Sequence, residues 1–141
     1  MTLHPIMKSC ENFPLRDETY SLVGICMEVH RNLGHGFLEI VYKDAIEFEL
    51  LKKEISFSRE KQYSIEYKGT ILPHKFYADF VILDRIIIEV KAAEGGLAND
   101  QIAQTINYLK TSGCEVGLLV NFGRKSLEYK RLVFSTASNL R

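Results

Sequence analysis

The order of apolar patterns along the chain predicts an α/β (α+β) domain with a mixed central sheet flanked by helices. Three observations carry that prediction. Apolar residues recur at steps of three and four over 17–33 and again over 39–52, the period of an amphipathic helix. From Gln62 the period drops to two, and a run of short strands follows. Residues 116–122 are almost continuously apolar, as a central strand covered on both faces would be.

The first helix gathers Leu22, Ile25, Cys26, Val29 and Leu33 on one face, with Asp17 placed to cap it. Gly34-His35-Gly36 ends it, and the second helix resumes with Val41, Ala45, Phe48 and Leu51 as its apolar face. Glu39 and Tyr42 lie one turn apart on it, and Tyr42 reads as core. Tyr63, Ile65 and Tyr67 alternate with polar residues before a hairpin turn at Lys68-Gly69. Pro73 splits the next strand or places it at an edge, because proline cannot donate to a ladder. Apolar runs at 76–83 and 86–91 form a hairpin around Leu83-Asp84-Arg85. Gly95-Gly96 then leads to a third helix over 97–111, on which Gln101, Gln104 and Tyr108 share a face. Ser112-Gly113 ends that helix, and 127–134 supplies a last strand after the central one.

A chain of 141 residues, 46% hydrophobic and 26% charged, is the length of one domain, here 1–141 with a core over about 18–134. Zero formal net charge excludes a protein that coats nucleic acid by bulk electrostatics, so any such contact is local. Arg124, Lys125, Lys130, Arg131 and Arg141 read as a solvated basic tail. Cys10, Cys26 and Cys114 are widely separated and odd in number, which fits a reduced, cytoplasmic setting. No apolar stretch approaches the ~20 residues that span a bilayer, and the start lacks the pattern of a signal peptide, so no membrane association is expected. His30, His35 and His74 lack ligand spacing, and the glycines do not form a phosphate-cradling loop.

Asp79, Glu89 and Lys91 stand inside the two apolar runs, where burying charge demands compensation. Alone, Glu-Val-Lys on a strand would be a solvated ion pair, but Ile86-Ile87-Ile88 beside it argues for burial. Glu89 and Lys91 are two apart and project on the same side. Asp79 joins them only if the hairpin loop has an odd number of residues or a bulge; a two-residue turn at Asp84-Arg85 would set it opposite Val90. Two carboxylates on adjacent strands are able to hold Mg²⁺ or Mn²⁺ against a phosphate. Lys91 then either orients or deprotonates an attacking water, or offsets charge developing on the phosphate. Glu39 would add a carboxylate directly or through water, Gln104 would hold a nucleic-acid backbone or Lys91, and Tyr108 would pack beneath the site.

Gly36-Phe37-Leu38-Glu39-Ile40-Val41-Tyr42 resembles the signature of the GxxExxY proteins, and Tyr77-Ala78-Asp79, Ile88-Glu89-Val90-Lys91 and Gln104-Thr105-Ile106-Asn107-Tyr108 resemble the group's other motifs. The group looks like a branch of the PD-(D/E)XK nuclease superfamily, and the four ordered motifs cover nearly the whole chain. The resemblance implies a restriction-endonuclease-like αβββαβ core, with Glu39, Asp79, Glu89 and Lys91 at active-site positions and the helix motif on Gln104 and Tyr108. Ala78 replaces the proline that names the superfamily and leaves the acid in place. The function implied is Mg²⁺- or Mn²⁺-dependent hydrolysis of phosphodiester bonds in DNA or RNA, and a homodimer would let both strands of a duplex be reached. The alternatives are a non-catalytic module that binds nucleic acid or protein on the same fold, and a hydrolase of small nucleotides.

Overall fold

The computed structural model describes residues 13–134. Cys10, Arg141 and both ends of the expected 1–141 domain lie outside that range. The described elements are α1 (Arg16–Leu33), α2 (Glu39–Lys52), β1 (Phe57–Tyr67), β2 (Thr70–Ile82), β3 (Ile86–Lys91), α3 (Asn99–Ser112), β4 (Val116–Asn121) and β5 (Glu128–Val133). The strands form one sheet in the order β1-β2-β3-β4-β5. All neighbours are antiparallel except β3 and β4, which α3 connects as parallel strands need. The expected mixed sheet with flanking helices is the observed architecture.

The sheet separates two cores. Leu22, Ile25, Cys26 and Val29 of α1 and Tyr42, Ile46 and Leu50 of α2 cover one face, meeting Phe80, Ile82, Ile86, Ile88, Val90 and alternate residues of β4. On the other face Leu109 of α3 packs with Ala78, Val81, Ile87 and Cys114. β4 is buried along its full length, as its continuous apolar sequence requires.

Three local expectations are corrected. Asp17 does not cap α1; it lies within the first turn, paired with Arg16 at 3.6 Å and set favourably against the helix dipole. The buried face of α2 is Tyr42, Lys43, Ile46 and Leu50, while Phe48 and Leu51 are exposed. Apolar residues occur almost all round this helix, so packing on the sheet, and not periodicity, selects its face. Pro73 does not split β2, which runs unbroken past it. It falls in a register shift between the pairs Ser64↔Lys75 and Glu66↔Ile71, on a stretch that β3 does not pair, so no ladder bond is lost there. The turn at Lys68-Gly69 holds both residues at positive φ, 52° and 81°, as a two-residue hairpin loop demands.

Candidate active site

The β2–β3 hairpin fixes the site. Its pairs are Ile82↔Ile86, Val81↔Ile87 and Phe80↔Ile88, so the loop is the three residues Leu83-Asp84-Arg85. That odd count carries Asp79 into register with Glu89. Leu83 and Asp84 achieve it at φ 55° and 57°, and the Arg85 N–H closes the loop on the Ile82 carbonyl at 3.0 Å.

One residue beyond the last pair the ladder opens. The Asp79 N–H donates to Glu89 Oε2 at 2.9 Å, and the Val90 N–H donates to Asp79 Oδ2 at 2.8 Å. Each strand thus satisfies a main-chain donor of the other with a carboxylate, which places the two acids side by side and holds both in one orientation. Glu89 is 4% exposed. Burial, followed by the charge of Asp79, pushes its carboxyl up to about 8; the Asp79 N–H and the ammonium groups of Lys91 and Lys43 oppose the rise without cancelling it. Glu89 Oε1 takes no hydrogen bond among the described residues.

Lys43, which sequence reasoning did not single out, completes the cluster. It rises from α2, on the opposite layer, and reaches Asp79 Oδ1 at 3.0 Å where the ladder is open. The same ammonium is hydrogen-bonded to Glu60 of β1. Burial pulls the Lys43 pKa down, but the bonds to Glu60 and Asp79 outweigh it and leave the pKa above that of a free lysine. The signal in the sequence was a lysine beside Tyr42 on a helix whose neighbours at that level are core; only the correct helix face makes it visible.

Lys91 closes β3 on the same face as Glu89, partly buried, and makes no ion pair among the described residues. Its position is set from below by Asn121, fully buried on β4. The Asn121 amide accepts from the Ala93 and Gly123 N–H groups and donates to the Ala93 carbonyl and to Glu128. The Phe122 N–H donates to the Lys91 carbonyl at 2.8 Å. A Cβ on Gly123 would stand 2.4 Å from the Ala93 nitrogen, so the backbones can meet here only at glycine. Neither Asn121 nor Gly123 was foreseen.

The remaining predicted residues divide. Glu39 begins α2, exposed, on a cleft of about 490 Å³ that it shares with Phe37, Leu38, Ile40, Lys43 and Ala92. Lys43 lines this cleft and also bonds Asp79, and no three His, Cys, Asp or Glu side chains among the described residues are grouped to hold a metal ion. Tyr108 stacks on Phe76 at 4.0 Å between ring centroids, and burial, then the charges of Glu89 and Asp79, raise its pKa. Its hydroxyl makes no hydrogen bond among the described residues. Gln104 is exposed on a separate groove of about 570 Å³ with Phe76, Asn107 and Tyr108, and does not bond Lys91. Gln101, on the same helix face, accepts from the Ala98 N–H at 2.9 Å and so serves the helix start. Tyr42 is core: it stacks on Phe122 at 4.5 Å, and its hydroxyl donates to the Gly34 carbonyl at 2.7 Å. His30 is structural, its Nε2 lying 2.8 Å from the Arg124 carbonyl, while His35 and His74 are exposed.

Residues 16–132 match the model of the PD-(D/E)XK nuclease superfamily. The chain belongs to that superfamily, and its fold is restriction-endonuclease-like, with α2-β1-β2-β3-α3-β4 giving the αβββαβ order. Among solved structures, the crystal structure of SSO0001 resembles it with a TM-score of 0.53 at 21% identity, over 71% of this chain and 53% of that one. The alkaline exonuclease LHK-Exo from Laribacter hongkongensis aligns at a TM-score of 0.47 and 13% identity, over 67% of this chain and 55% of its own. The chain therefore spans about half the length of either structure. No curated protein matches it. No helix among the described residues is long and apolar enough to cross a membrane.

Proposed function

We propose that this chain, as a GxxExxY member of its superfamily, hydrolyses phosphodiester bonds of DNA or RNA with Mg²⁺ or Mn²⁺ held at Asp79 and Glu89. The observation that carries the reading is the reciprocal pairing of those two carboxylates at the point where the β2–β3 ladder opens. The donor set fits such an ion. Both groups are hard oxygen donors, Glu89 retains an oxygen without a hydrogen bond, and burial, then the charge of Asp79, raises the Glu89 pKa, which a bound cation would oppose. Two carboxylates suffice for Mg²⁺, which keeps several waters in its shell.

The ion, when bound, polarises a phosphate oxygen and lowers the pKa of a water. Lys91, free of ion pairs among the described residues, offsets charge developing on the phosphate as an ammonium or, as the neutral amine, takes the proton of the attacking water. Glu39, on the cleft that adjoins Lys43, serves as an auxiliary acid through water. Gln104 and Tyr108 line a groove that suits the backbone of the polymer. Two free, buried thiols, Cys26 and Cys114, suit a cytoplasmic setting, and a homodimer would bring two sites to one duplex.

One observation favours a second reading. Lys43 already neutralises Asp79, as it would in a binding module that kept the fold without turnover. Cleavage of labelled single- and double-stranded DNA and RNA by wild type and Lys91→Ala, in Mg²⁺, Mn²⁺ or EDTA, separates the two. We expect metal-dependent cutting that falls by about a hundred- to a thousandfold in Lys91→Ala. Absence of cutting on every substrate would move the weight to the binding module.

A further inference from the structure

We propose that Lys43 is a positioning residue that competes with the divalent cation for Asp79, and that Glu60 is the partner to which Lys43 withdraws when the cation binds. The proposal rests on Asp79 and Glu89 being the cation's ligands. Asp79 has both oxygens engaged, Oδ2 by the Val90 N–H and Oδ1 by Lys43. The first is fixed in the main chain. An ion reaching Asp79 must therefore share or displace the second, and two cations on one carboxylate oxygen repel.

Glu60 is built to receive the displaced ammonium. It stands in register opposite Asp79, since Arg59 pairs with Phe80 and Lys61 with Ala78. Its backbone is at φ 55°, a left-handed conformation that a glutamate within a strand seldom adopts and that signals a constraint stronger than local preference. The side chains of Lys43 and Asp79 are 11% and 15% exposed, whereas that of Glu60 is 47% exposed. Lys43 can thus keep one carboxylate while leaving the more buried one, and its charge never stands unpaired in the core.

Two substitutions should move Mn²⁺ affinity in opposite directions, a pattern that general damage to the fold does not produce. Titration calorimetry of the full chain with Mn²⁺ should show about tenfold tighter binding in Lys43→Met, because one repelling charge is gone. Glu60→Gln should weaken binding several-fold, because Lys43 then has nowhere to go. In the Lys43→Met background, Glu60→Gln should have no further effect. Lys43→Gln, which keeps a donor for both carboxylates, should give a smaller gain of the same sign if Lys43→Met folds poorly. Unchanged or weaker binding in both Lys43 variants overturns the proposal while leaving the site assignment standing. Mn²⁺ binding that survives Asp79→Asn overturns the site assignment, and the proposal with it. Binding seen only once Lys43 is replaced supports the proposal, and binding in neither protein overturns it.

Discussion

Close to its loop, the β2–β3 hairpin pairs Phe80, Val81 and Ile82 with Ile88, Ile87 and Ile86 in an unbroken apolar ladder. One residue farther out, Asp79 and Glu89 occupy the next rung, and the main-chain donors there turn to carboxylates. The first half is buried and the second buried at Glu89 and partly buried at Asp79, and they obey different rules. In the first, stability comes from dispersion and exclusion of water, and each side chain contributes by its volume. In the second, polar groups satisfy one another in a way that leaves charge repulsion unresolved. The apolar half supplies the rigidity that the polar half uses: three fixed pairs, with cores on both faces, set the register in which the Asp79 and Val90 N–H groups then hold the acids.

Truncation should separate the halves most sharply. Ile88 is 1% exposed and faces the core beneath α1 and α2, so Ile88→Ala should destabilise the protein by about 4 kcal/mol in urea unfolding, as deletion of a buried aliphatic group does. The folded fraction should bind Mn²⁺ as wild type does. A loss below about 1 kcal/mol would mean that the ladder is not the anchor.

The polar half should instead show itself through pH. Glu89 has a pKa pushed up from 4.5 to about 8 in the folded chain, so between those values the folded form holds a proton that the unfolded form has lost. The contribution of Glu89 to stability without divalent ions should therefore be fully present below pH 4.5 and fall as pH rises towards 8, by on the order of 2–3 kcal/mol once water entry and strand relaxation are allowed for. Glu89→Gln should flatten that slope, and saturating Mn²⁺ should reduce it, because the ion favours the carboxylate. Thermal melts across pH 4 to 9 measure all three. A wild-type profile as flat as that of Glu89→Gln would show that the burial of Glu89 and its repulsion by Asp79 are relieved by other means.

The same division explains how much could be read from the sequence. The apolar ladder, the central β4 and the two-residue turn at Lys68-Gly69 were legible because burial period and turn chemistry act locally. Asp79, Glu89 and Lys91 stood out as charges in apolar runs. Lys43 did not, because α2 is apolar on nearly every side and its buried face is chosen by the sheet. Glu60, Asn121 and Gly123 act through neighbours distant in sequence, across the ladder and beneath β3, and their residue types alone are ordinary for a strand and a loop. The decisive register was posed by the sequence as a condition, an odd loop or a bulge, but not resolved by it, since nothing about Leu83 announces a left-handed backbone.

That loop gives the smallest of the expected effects and the one that bears most directly on the register. Leu83 is 41% exposed and sits at φ 55°, where a γ-branched residue is disfavoured by about 1 kcal/mol and asparagine is tolerated. Its N–H donates to the Ser56 carbonyl at 3.1 Å, a bond that any residue but proline would keep. Leu83→Asn should lose a little apolar burial and gain the backbone term, for a net stabilisation of about 0.5 kcal/mol by urea midpoint with Mn²⁺ affinity unchanged. A loss greater than about 1 kcal/mol would show that the Leu83 side chain, and not the left-handed pair at 83 and 84, holds the loop at three residues. The carboxylates would then owe their register to packing at the hairpin tip.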